Sequence, residues 1–118
     1  MEKRKVLSIV WYNVLPAKYG GQHAIASFNQ ALGKELELIC LCSSDNQPDN
    51  HLTYKLLPLL KPGKRSLFSL HTFLTIRQTI LKEKPNSIIV EHPYLALAVQ
   101  YFAGLSRATV IVRSHNLE

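Results

Sequence analysis

Acidic residues are scarce in this chain: 8 Asp and Glu stand against 14 Lys and Arg in 118 residues, a formal charge of +6. That balance favours anionic partners such as nucleotide phosphates or an acidic surface. The basic residues are not massed, however. Lys3, Arg4 and Lys5 precede the first apolar run, and Lys61, Lys64 and Arg65 share one polar stretch. With no interleaved aromatics and no Cys/His finger spacing, solvated edge charge is the preferred reading over a nucleic-acid stripe, and no nucleic-acid partner is expected. Cysteine is rarer still. Cys40 and Cys42 would share one face of a strand, about 6.6 Å apart and near the upper limit for a bridge. They read as small core residues of a reducing compartment, and two thiols without a second ligand pair exclude a metal site. No apolar run approaches the roughly 20 residues that cross a bilayer. Lys3 to Lys5 followed by Val6 to Trp11 imitates a signal peptide, but the apolar stretch is short and Asn13, Pro16 and Lys18 interrupt it. There is no internal repeat and no low-complexity segment.

What is present is a folded, α/β-patterned chain. Hydrophobic content of 47% and charged content of 19% suit a globular core. Val6 to Trp11 reads as a strand buried on both faces. Gln22 to Gly33 carries Ile25, Phe28 and Leu32 at helical spacing, with Gly33 suited to the helix end. Leu36 to Cys42 is a second strand, Ser43 to Asn50 a loop, and Leu52 to Leu57 a third strand. Pro58 to Lys64 reads as a loop with a Pro62-Gly63 turn. Ser66 is the expected cap of a helix running to about Lys84, broken by Pro85-Asn86. Ser87 to Glu91 is a fourth strand. Pro93 to Ala103, apolar almost all round, reads as a short buried helix closed by Gly104. Ala108 to Arg113 is a fifth strand.

This order argues an α/β, Rossmann-like, doubly wound and mostly parallel five-stranded sheet with helices on both faces. Right-handed crossovers predict the strand order 3-2-1-4-5. Ligands of such sheets bind beyond the carboxyl ends of the strands, where the order reverses. Three segments far apart in sequence then meet between strands one and four: Tyr12 to His23, Glu91-His92-Pro93 and Ser114-His115-Asn116. The pair Gly20-Gly21, followed by Gln22 and a helix, lets backbone N–H groups approach an anion at the positive helix end. It is neither a dinucleotide fingerprint nor a Walker A loop. His115, just past a central strand, can donate to a substrate hydroxyl or phosphate near neutral pH. Glu91 either orients His92 or a substrate hydroxyl, or caps the helix starting at Pro93, and capping is the preferred reading. A zinc site from His23, His92 and His115 has no supporting ligand spacing, so no metal is expected.

Two runs carry a family resemblance: Pro16-Ala17-Lys18-Tyr19-Gly20-Gly21-Gln22 and Val112-Arg113-Ser114-His115-Asn116-Leu117-Glu118. Both resemble the N-terminal half of bacterial group 1 (family 4) glycosyltransferases of GT-B architecture. The resemblance implies retaining transfer of a sugar from a nucleotide-sugar to a glycan or lipid-linked acceptor, with the nucleotide-sugar as co-substrate and no other cofactor. It implies a catalytic role for His115 at the transferred sugar. Substrate contacts fall to Gly20, Gly21, Gln22, Glu91, His92, Asn116 and Glu118. In that family most nucleotide contacts come from a C-terminal domain. Residues 1–118 are thus expected to be an incomplete N-terminal domain without the donor-binding half, inactive alone. A cytoplasmic place accompanies this reading. The basic and apolar loop from Leu59 to Arg65 with Leu67 and Phe68 could rest on the inner membrane face, but a loop feeding an amphipathic core helix is the preferred reading of it.

The rival is a small non-catalytic module that binds a nucleotide or a protein, with the apolar stretch Tyr94 to Phe102 as a self-association face and the chain a homo-oligomer. A receiver domain is excluded, because Tyr12-Asn13, Leu57-Pro58 and Ser114-His115 replace its acidic residues and lysine. A flavodoxin is excluded because Tyr12 to Tyr19 holds no Ser/Thr-rich phosphate loop.

Overall fold

The computed structural model describes residues 4–11, 14–15, 17, 20–47, 51–63, 69–91 and 95–113. Among the described residues five strands and three helices follow in chain order: β1 (Lys5–Val10), α1 (Gly20–Glu35), β2 (Glu37–Ser43), β3 (Lys55–Leu60), α2 (Leu70–Glu83), β4 (Ser87–Glu91), α3 (Ala96–Ser106) and β5 (Thr109–Arg113). All pairings are parallel, in the order β3-β2-β1-β4-β5. This is the wound α/β sheet that the sequence predicts. Its central strands are apolar on both sides because each side meets a helical layer.

The alternation of side chains along the strands divides the core in two. On one face Val6, Val10, Leu38, Cys40, Cys42 and Ile89 pack with Ile25 of α1. On the other, Leu7, Ile9, Ile39, Leu41, Ile88 and Val90 pack with Ile76 and Ile80 of α2 and with Val99 and Ala103 of α3. Cys40 and Cys42 are buried, free thiols on the α1 face.

The hydrogen bond with Cys42, with burial behind it, holds the Cys40 thiol well above its ordinary range. A raised folded-state value adds stability while the unfolded thiol stays protonated, below about pH 8.5. That contribution is lost as pH climbs toward the folded value, at up to about 1.4 kcal/mol per pH unit. The urea midpoint of the wild-type chain is therefore expected to fall more steeply between pH 8 and 10 than that of Cys40→Ala. Equal slopes for the two proteins would contradict this assignment.

Several local expectations need correction. β3 starts three residues later than the alternation suggests and takes in Pro58, which the sequence places in a loop. Pro58 lies opposite Cys42, where the β2–β3 register shifts. An edge strand tolerates a residue without an N–H at such a point. The cap of α2 is Ser69, not Ser66: its side chain accepts from the Thr72 N–H at 3.2 Å. Gly33 does not end α1, which continues to Glu35. A Cβ at Gly33 would lie 2.5 Å from Thr53 Oγ1 and 2.8 Å from the Thr53 carbonyl oxygen. Thr53 is itself held by Gln30, through Thr53 Oγ1 donating to the Gln30 carbonyl at 2.6 Å. This glycine answers to close packing rather than to chain reversal.

α3 differs most from expectation. It runs past Gly104 and ends at Arg107 in the left-handed region (φ 58°). It is also not buried all round. Leu95, Val99 and Ala103 face the core, while Leu97 and Tyr101 are 84% and 73% exposed. β5 beside it is an edge strand with Ile111 and Val112 in solvent. Among the described residues no helix is long and apolar enough to cross a membrane.

Candidate functional site

The order of strands reverses between β1 and β4, and the carboxyl ends of the parallel strands define one edge of the sheet. α1 begins at that edge, since it follows β1 and returns antiparallel over the sheet. Its first turn is Gly20-Gly21-Gln22. First-turn N–H groups lack intrahelical acceptors and carry the positive end of the helix dipole. No acidic side chain occupies that turn of α1. Gly20 is exposed, and a Cβ built there meets nothing within 4 Å. Packing does not demand glycine at position 20.

Between β1 and this turn, Val14 and Leu15 are held by one side chain. The N–H groups of Val14 and Leu15 both donate to Asn46 Oδ1, at 2.8 and 3.0 Å. Asn46 Nδ2 in turn donates to the Ser43 carbonyl at 2.9 Å and to Ser43 Oγ at 3.0 Å. The Gln47 N–H closes the clamp on the Leu15 carbonyl at 3.0 Å. Asn46 is buried, so one amide side chain joins the end of β2 to the approach to α1.

Across the reversal point, Glu91 and Arg113 end β4 and β5 in register with each other. Glu91 has no exposed surface, and its Oε2 accepts from Arg113 Nη1 at 2.9 Å. The guanidinium carbon of Arg113 also lies 3.9 Å from the centroid of the Phe28 ring on α1. Two strands and a helix thus converge on one cation. The preferred reading, Glu91 as the cap of a helix starting at Pro93, falls on a start that lies outside the described residues. α3 starts only at Ala96, its cap residue is Leu95 and no side chain caps it. The carboxylate meets the cation of the neighbouring strand, because a buried charge needs an opposite one.

Of the sequence-derived site residues, the fold sets Gly20, Gly21, Gln22 and Glu91 at the same edge of the sheet. His92, His115, Asn116 and Glu118 lie outside the described residues, as do Tyr12, Asn13, Pro93 and Tyr94. Arg113, Phe28 and Asn46 are the contributors that sequence reasoning missed. His23 is exposed in α1, and among the described residues no group of three His, Cys, Asp or Glu could hold a metal ion. A shallow groove of about 460 Å³ lies at the other end of the strands, beside Gly33, Glu37, Lys55 and Glu83. It carries no functional weight, since wound sheets bind ligands at the carboxyl edge. No known family model and no curated protein matches the chain.

Proposed function

We propose that the chain is the acceptor-side half of a retaining glycosyltransferase that takes its sugar from a nucleotide-sugar. The observation that carries this reading is the reversal of strand order at a carboxyl edge that holds the Gly20-Gly21 helix start and the Glu91–Arg113 pair. A glycine-led helix start offers N–H groups to a leaving diphosphate. Arg113 immediately precedes the segment Ser114-His115-Asn116, so the pair fixes the strand end from which that segment departs. His115 is assigned to a sugar hydroxyl, a positioning task that does not require it to act as a base. Because Glu91 is fully covered, its influence on a ligand runs through Arg113 rather than through direct contact.

Nucleotide contacts in this reading belong to a second domain, so residues 1–118 bind donor weakly. Titration calorimetry with UDP, GDP and their sugars is expected to give dissociation constants of about 1 mM or weaker, with no turnover. Binding at about 10 µM or tighter would favour the non-catalytic nucleotide module instead. Multiple turnover by this chain alone would refute the division of labour between two domains.

A further inference from the structure

The Arg113 side chain is more constrained than an ion pair requires. One Nη1 hydrogen goes to Glu91 at 2.9 Å, and one face of the guanidinium is stacked on Phe28 at 3.9 Å. An arginine has five N–H donors in a rigid planar fork. Among the described residues the other four, including the Nε–Nη2 edge, make no protein hydrogen bond. About a quarter of the side chain, 26%, remains open to solvent.

The fold gains little from this arrangement. A carboxylate with no exposed surface costs desolvation, and an apolar pair of similar volume would serve the core as well or better. What the arrangement does achieve is orientation. Glu91 fixes one edge, Phe28 fixes one face, and the fork is held without the rotamer entropy that a free arginine would lose on binding. It is held at the carboxyl edge of a wound sheet, near the reversal of strand order.

We propose that Arg113 is a preorganised oxyanion-binding group whose Nε–Nη2 edge takes two oxygens of a phosphate. A guanidinium fork matches the spacing of phosphate oxygens, and it offers no acceptor to a ligand that only donates. The Glu91 carboxylate offsets part of the positive charge, so affinity for a lone phosphate is modest and selectivity comes from the fork. The inference stands on the Arg113 cluster and not on sugar transfer: a failed turnover assay leaves it intact.

The test uses the intact chain and follows the Arg113 Nε–Hε resonance by NMR during titration with inorganic phosphate, against sodium chloride at equal ionic strength. A saturable shift with phosphate and none with chloride is expected. Arg113→Lys keeps a cation beside Glu91 but loses the fork. Its affinity, read from the Phe28 ring protons, is expected to be about tenfold weaker, the worth of one charge-assisted hydrogen bond. Methyl phosphate and UDP run in parallel tell a phosphate monoester from a nucleotide diphosphate by which saturates at lower concentration. Equal response to chloride, no saturation with any phosphate, or unchanged affinity in Arg113→Lys would each overturn the proposal. The wild-type titration decides the matter even if the variant folds poorly.

Discussion

Arg113→Ala is expected to destabilise the chain by about 3 kcal/mol. The reason lies with the partner. Glu91 is fully buried at the end of β4, and removing the guanidinium leaves its carboxylate without that counter-charge. Breaking one side of a buried pair costs about 3–5 kcal/mol. The lower end applies because Arg113 keeps 26% of its side chain in solvent, where screening weakens the pair. Loss of the stacking on Phe28 adds a smaller share. Against a total stability of about 5–15 kcal/mol such a loss moves the urea midpoint well clear of error. The control is the double variant Glu91→Met with Arg113→Met, which removes both charges and is expected to recover most of the loss. If Arg113→Ala unfolds at the wild-type urea concentration, or if the double variant is as unstable as the single one, the buried carboxylate is not what Arg113 serves.

The pair also shows what the sequence makes legible and what it conceals. Buried parallel strands print themselves as apolar runs, so β1, β2 and β4 were readable to within a residue. Their order followed from crossover handedness. β3 was not, because an edge strand is defined by its bonds to β2 (Ile39 opposite Lys55, Cys42 opposite Pro58) rather than by its own apolarity. Helix ends failed wherever tertiary contact outweighed local signal. Gly33 looks like a terminator and is a packing site for Thr53; Gly104 looks like one and lies inside α3. Apolar composition could not distinguish a buried helix from one with Leu97 and Tyr101 in water.

The glycine turn at the head of α1 was legible because Gly20-Gly21 falls between a strand pattern and a helix pattern. The ion pair was within reach but unread. SIIVE and TVIVR each end an apolar strand on a single charge, and the charges are opposite. Once strands four and five are adjacent and parallel, equal strand lengths bring Glu91 and Arg113 into register. Phe28 carried no such mark: at helical spacing with Ile25 and Leu32 it reads as core, and its stacking on Arg113 is a tertiary fact. Asn46 was hidden for a different reason. It lies in a polar loop, where asparagine is ordinary, and nothing in its neighbours announces that two distant N–H groups converge on its oxygen.

Asn46→Ala tests that convergence and should cost about 2–4 kcal/mol. Truncation removes the acceptor for two backbone donors at once, Val14 N–H and Leu15 N–H, both on buried residues. Each buried donor left without a partner costs about 1–3 kcal/mol, and water entering the vacated space recovers part of it. Asn46→Asp separates the two halves of the clamp. It keeps an oxygen for Val14 and Leu15 and loses the donation to Ser43, so its loss should be smaller than that of alanine. Hydrogen exchange reads the effect where it matters: the Val14 and Leu15 amides should lose protection in Asn46→Ala and keep most of it in Asn46→Asp. Since these residues lead the chain from β1 to the Gly20-Gly21 turn, the same variant should loosen the start of α1 while leaving α2 and α3, on the opposite face of the sheet, protected. Uniform loss of protection across both helical layers would mean that Asn46 holds up the whole fold rather than the approach to the candidate site.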